Sequence, residues 1–307
     1  IIPVAFLEKI LLKKRAIRVL IDSWCNDDKE WWIPQKILGL SASPNWLIVV
    51  KTLAWYIQPC ITSGEYFYLF VIQGPKWLEE EFKLNEIKLN IKIVDDIKPY
   101  KTRKVGLLNG AHTAMVPVSY LYGEDYVKES IENPVIGKFV KDAMFNEIIP
   151  AIEMDKTELE DFANSVISRF RNPYIKHKLM AISLNSMAKF NSRVMPQIIS
   201  YKNKFGKFPE KLVFSLAGTM IFYKGYRNNE LIDLKDDEHI LDFYKNLWNS
   251  YDNKEADLKS LADSLLSYEK NWGQDLSLIE GFTEELAKHL ENILSKGMKI
   301  ALEEISK

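Results

Sequence analysis

The sequence predicts an α/β segment followed by a larger, mainly α domain. Strand-like runs are confined to the part before about residue 100, and beyond about Val105 the apolar spacing switches to three and four. The strand character sits in EYFYLFVIQG (65–74), which is aromatic and β-branched, and in LNIKIVDD (89–96), where Leu89, Ile91 and Ile93 alternate with Asn90 and Lys92. Between them, GPKWLEEEFKLNE opens with a Gly-Pro turn and continues as a short helix. Further on, Leu159, Phe162, Val166 and Phe170 form one helical stripe, and Ile240, Tyr244, Leu247 and Tyr251 a second. Phe282, Leu286, Leu290, Ile293 and Ile300 form a third. Asn133 before Pro134, Asp155, the Asn172-Pro173 break and Pro209 mark boundaries. The expected division is therefore 1–102 and 103–307, the latter a helical domain of about seven to nine elements. Ile21 to Thr62, with Trp24, Trp31, Trp32, Trp46 and Trp55, has no consistent period.

Composition narrows the partners. A 307-residue chain that is 47% apolar and 12% aromatic can bury a real core. Its 41 Lys+Arg nearly cancel 42 Asp+Glu, which disfavours nucleic acid or an anionic membrane and suits a small polar ligand. Cys25 and Cys60 have neither CxxC spacing nor a nearby histidine, so no disulfide framework or metal site is expected, and a cytoplasmic location is. Asn45 to Ile61 is broken by Lys51 and is too short to span a bilayer as a helix, and no signal peptide opens the chain. The first residue is Ile1, which points to a piece upstream that is not included. Nothing here sets an oligomeric state.

KVGLLNGAH (104–112) places three polar groups in an apolar, glycine-containing stretch. At about 100° per residue, Lys104, Asn109 and His112 fall at roughly 0°, 140° and 80°, on one helix face. A lysine beside Val105, Leu107 and Leu108 is partly desolvated, which lowers its pKa towards the range useful for acid-base work. An amide and an imidazole beside it can hold an oxygen whose charge changes in reaction. The alternative keeps Arg103-Lys104 as a solvated helix start, Asn109 as a cap and His112 as a satisfied interior histidine.

DDIKPYKTRKVGLLNGAHTAMVPVSYLYG (95–123) resembles the central motif of the long-chain mannitol dehydrogenase family. In that motif a lysine, an asparagine five residues on and a histidine three further form the catalytic set, the pattern of Lys104, Asn109 and His112. RFRNPYIKHKLMAISLNSMAKF (169–190), NWGQDLSLIEGF (271–282) and GEYFYLFVIQGPKWL (64–78) are similar to further family segments, so the resemblance covers residues 64–307.

The resemblance implies a 6-phosphogluconate-dehydrogenase-like helical domain after a Rossmann-like dinucleotide-binding domain, NAD as cofactor, no metal, and Lys104 as general acid/base. NGAHTAMVPVSYLYG and LVFSLAGTMIFYKGY (212–226) look most like the branch that interconverts D-altronate and D-tagaturonate. Where polyol-oxidising members carry an aspartate and an arginine, this chain has His177 and Ala181, and His177 and Lys189 are the expected contacts of a sugar-acid carboxylate. A related fructuronate/mannonate or mannitol-1-phosphate dehydrogenase remains an alternative.

The family's glycine-rich turn is missing, since Gly39, Gly64 and Gly74 are isolated, and so is its Asn-x-x-Val-Asp-Arg-Ile stretch. Residues 1–63 therefore read as truncated or divergent, no cofactor residue is assignable, and a catalytically silent helical domain without its nucleotide domain is the other alternative.

Overall fold

In the computed structural model the described residues are 69–87 and 89–307. The readings on Cys25, Cys60, Gly39, Gly64 and the tryptophan-rich stretch lie outside them. The chain divides into two compact units, 1–95 and 96–307.

In the first unit, strands β1 (Phe70–Gln73) and β2 (Ile91–Val94) run parallel, in register from Phe70 with Ile91 to Gln73 with Val94. Parallel neighbours need a crossover, and helix α1 (Trp77–Glu81) lies within it, after the Gly-Pro turn. The described residues of this unit extend no further, so a Rossmann-like sheet is not among them.

The second unit is helical. Asp96 opens it by accepting the Lys98 N–H at 2.9 Å, at the start of α2 (Lys98–Lys104). The boundary expected after residue 102 falls inside this helix, and the compact unit begins at Asp96. α2 runs on through a π turn, Val105–Gly110, into α3 (Ala111–Tyr122). After α4 (Val127–Glu132), a second rod repeats the device with α5 (Pro134–Asp142), a π turn at Ala143–Ile148 and α6 (Ile149–Ala151).

Then come α7 (Lys156–Phe170), α8 (Leu179–Ile182), α9 (Ser186–Arg193), α10 (Met195–Phe205) and α11 (Glu210–Phe222). A hairpin of β3 (Tyr226–Arg227) and β4 (Glu230–Leu231) turns through Asn228 and Asn229, both at positive φ as such tight turns require. The chain closes with α12 (Glu238–Asp252), α13 (Leu258–Leu266), α14 (Glu269–Trp272), α15 (Phe282–Lys296) and α16 (Met298–Ile305). There are more helices than expected because short segments such as α4, α8 and α14 carry too few residues to show a stripe.

The caps explain the boundaries. Asn133 Oδ1 accepts the Val135 and Ile136 N–H groups ahead of Pro134, and Asp155 accepts that of Glu158. The stripes of α7 and α12 face the core, with Phe162 and Tyr251 at its margin. The third stripe needs a correction. Phe282, Leu286, Leu290 and Ile293 are buried, but Gly297 at φ +81° ends α15, and Ile300, on α16, is exposed.

α3 and α11 are apolar almost all round, the mark of helices at the centre of a bundle. They cross closely: Ser215 Oγ donates to the Ala114 carbonyl at 2.9 Å, and a Cβ on Gly218 would stand 3.3 Å from the Val118 side chain. Glu147, buried in the second π turn, ties the start of α11 by accepting the Lys211 and Leu212 N–H groups at 2.8 and 2.9 Å. No helix of the described residues is long and apolar enough to cross a membrane.

Candidate active site

The α2–α3 rod carries Lys104, Asn109 and His112, and its π turn changes their spacing. The Ala111 N–H donates to the Gly106 carbonyl, five residues back. A straight α-helix would set Lys104 and Asn109 roughly 140° apart, whereas closure over five residues brings residues five apart onto the same side. Such single turns recur at functional sites. Two glycines let neighbours press against this turn. A Cβ on Gly106 would stand 3.2 Å from the Ile148 side chain, and one on Gly110 would stand 3.1 Å from the Arg193 carbonyl oxygen.

Lys104 is more exposed than its apolar neighbours suggest, because Leu107 turns into the core. Partial burial, followed by the charges of Arg193 and Arg169, holds its ammonium below the usual lysine range. The solvated helix start imagined for Arg103-Lys104 is absent. Arg103 is buried mid-rod, paired with Glu158 at 2.7 Å and lying 4.5 Å over the Phe162 ring.

Asn109 is no cap either. It lies within the continuous rod, half-buried, and its carbonyl accepts the Thr113 hydroxyl at 2.9 Å.

His112 is interior but not satisfied. Its ring stacks on Phe170 at 4.0 Å and meets His177 edge-on at 5.6 Å, and its Nε2 is covered without a hydrogen-bond partner. Burial, then His177, Arg193 and Arg169, push it down to about 3, so the imidazole is neutral at any working pH. A covered, unpartnered nitrogen costs about 1–3 kcal/mol, a cost worth carrying where a ligand will meet it.

α9 brings the remaining groups. Asp236 anchors its start by accepting the Met187 N–H at 3.3 Å and the Tyr223 hydroxyl. Lys189 donates to the Ile182 carbonyl at 2.9 Å; burial and Arg193 lower its pKa while Asp236 opposes the shift. His177 is exposed on the loop before α8, and Ala181 is exposed on α8. The fold thus gathers Lys104, His112, His177 and Lys189 around one positive patch with Arg169 and Arg193, which sequence reading missed. Arg193 was within reach, four residues after Lys189 on one helix; Arg169, distant in sequence, was not. The cleft of about 700 Å³ lined by Ala151, Glu153, Asn191, Met195, Ser200 and Lys204 takes in none of these groups.

The pattern described as the mannitol dehydrogenase C-terminal domain matches residues 96–294, starting where the helical unit starts. The chain belongs to the mannitol dehydrogenase family. It is 44% identical to an altronate oxidoreductase of Enterobacter sp. (strain 638) over 256 residues, covering 83% of this chain and 53% of that protein. It is 45% identical to one of Klebsiella pneumoniae (strain 342), covering 89% of this chain and 60% of that protein. The chain spans a little over half the length of these curated relatives.

Two solved structures share the fold. One is a Pseudomonas fluorescens mannitol 2-dehydrogenase in ternary complex with NAD and D-mannitol, with TM-score 0.62 and 22% identity over 71% of this chain and 43% of that one. The other is a substrate-free D-sorbitol dehydrogenase, with TM-score 0.59 and 18% identity over 86% of this chain and 52% of that one. The helical unit carries the family's C-terminal domain over residues 96–294.

Proposed function

We propose that this protein serves an NAD-linked oxidoreductase reaction that interconverts D-altronate and D-tagaturonate, with proton transfer at Lys104. The observation that carries the reading is the pairing, on one rod, of a lysine of lowered pKa with a neutral histidine whose Nε2 has no partner. The relatives named altronate oxidoreductase support the sugar acid, and the positive patch suits its carboxylate.

In the oxidative direction, neutral Lys104 accepts the hydroxyl proton. The Asn109 amide and His112, in the tautomer with its proton on Nε2, donate to the same oxygen and stabilise its partial negative charge. Nε2 is covered, and we assign the cover to His177, edge-on and exposed, which gives way as substrate enters; Lys189 lines the substrate side. Bound NAD would supply the hydride acceptor for the carbon that bears this oxygen. The parallel βαβ crossover is a connection that dinucleotide-binding sheets use, so the described part of the first unit is compatible with such a domain, and no described residue is assigned to hold the cofactor.

The test is NADH oxidation followed side by side with tagaturonate, fructuronate and fructose. A kcat/KM highest for tagaturonate is expected. Preference for fructuronate would move the protein to the related branch, and no turnover with any of them would favour a silent domain.

A further inference from the structure

Arg193 is the common neighbour of the expected site groups, since its charge bears on Lys104, His112 and Lys189 alike. Its guanidinium is half-buried and, among the described residues, in no ion pair. It donates a long hydrogen bond, 3.4 Å to the neutral Thr113 hydroxyl, which is itself engaged with the Asn109 carbonyl. Other partly buried cations of this unit have an acidic or carbonyl partner. Arg103 has Glu158 at 2.7 Å, Arg227 has Asp125 at 2.5 Å, and Lys189 has the Ile182 carbonyl and the charge of Asp236. Desolvating a cation without an anion is unfavourable, and a planar guanidinium matches a carboxylate in two parallel hydrogen bonds as an ammonium does not. The backbone beneath it is fixed, because the Arg193 carbonyl packs where a side chain on Gly110 would stand.

We propose that Arg193, rather than Lys189 or His177, receives the substrate carboxylate and so selects a sugar acid over a neutral sugar of the same length. This rests on the reading above that the site takes a sugar acid. The geometry puts the anion's receptor on α9 and the proton's on the rod, so that binding one end of the substrate aims the other.

The test compares the unaltered protein with Arg193→Met and Arg193→Lys in two measurements, NADH-linked kcat/KM for tagaturonate and for fructose, and calorimetric binding of altronate. In Arg193→Met, kcat/KM for the acid falls on the order of 100-fold, the fall for fructose is much smaller, and Arg193→Lys recovers part of the loss. An equal fall for both substrates would mean that Arg193 acts only through Thr113 and would overturn the proposal, as would unchanged discrimination. Altronate binding that depends on Arg193 without turnover would uphold the carboxylate receptor and refute the reaction; no altronate binding by the unaltered protein would overturn both.

Discussion

Lys104→Ala lowers the turnover of altronate and tagaturonate by on the order of 10²–10⁴-fold, the usual worth of a positioned acid-base group, and leaves NADH affinity unchanged. The lysine is the one group of the trio able to take a proton at neutral pH. His112, pushed down to about 3, stays neutral and acts only through hydrogen bonds, and an amide does not titrate. The direction of the Lys104 shift sets the pH profile. Burial and the two arginines disfavour the charged form, so the neutral amine appears at lower pH than for a free lysine. The oxidative rate therefore rises with pH along a limb that lies below the ordinary lysine range, and Arg193→Met moves that limb upward by removing a positive neighbour. The assay is kcat against pH in both directions. Retained turnover in Lys104→Ala would mean that another group carries the proton.

Glu147→Gln removes the pH dependence of stability between about 4.5 and 7. The variant is less stable than the unaltered protein at acid pH, because its NH2 cannot accept the second of the two N–H groups, and it gains on the unaltered protein as pH rises through about 7. Two effects compete at this carboxyl. The N–H groups of Lys211 and Leu212, at the start of α11, favour its charge, while burial disfavours it; burial wins, and its pKa rises from 4.5 to about 7. A folded-state pKa above the unfolded one means that the native state binds the extra proton. The stability linked to that proton is whole below the unfolded pKa of 4.5 and is lost as pH rises through about 7. At about 1.4 kcal/mol per pH unit, the loss is on the order of 3 kcal/mol. Glutamine stays neutral, as the protonated acid is, so it abolishes this slope. Denaturant unfolding of both proteins from pH 4.5 to 8 reads the difference directly. A gap that stays flat, or that grows in favour of glutamate, would mean that the helix-end hydrogen bonds outweigh the burial.

Much of this unit was legible because its signals are local. Asn133-Pro134 and Asp155 act as caps because a short polar side chain reaches the free N–H groups two or three residues on, and the stripes at Leu159 and Ile240 bury because a helix repeats every three to four residues. What was missed depends on contacts across the chain or on backbone geometry that residue type does not announce. The π turn at Val105–Gly110 alters the spacing that an ideal helix predicts. Gly297 redirects Ile300 to solvent. The two arginines reach Lys104 from α7 and α9, and the vacant hydrogen bond of His112 shows only when its surroundings are known.

The central claim is that a site of this kind handles the proton of a hydride transfer. The most direct measurement is a fluorescence titration of the chain with NADH, alone and with tagaturonate. Saturable binding that tightens with the keto acid and loses that tightening in Arg193→Met is the predicted result. A folded protein that binds neither NADH nor the acid would contradict the account.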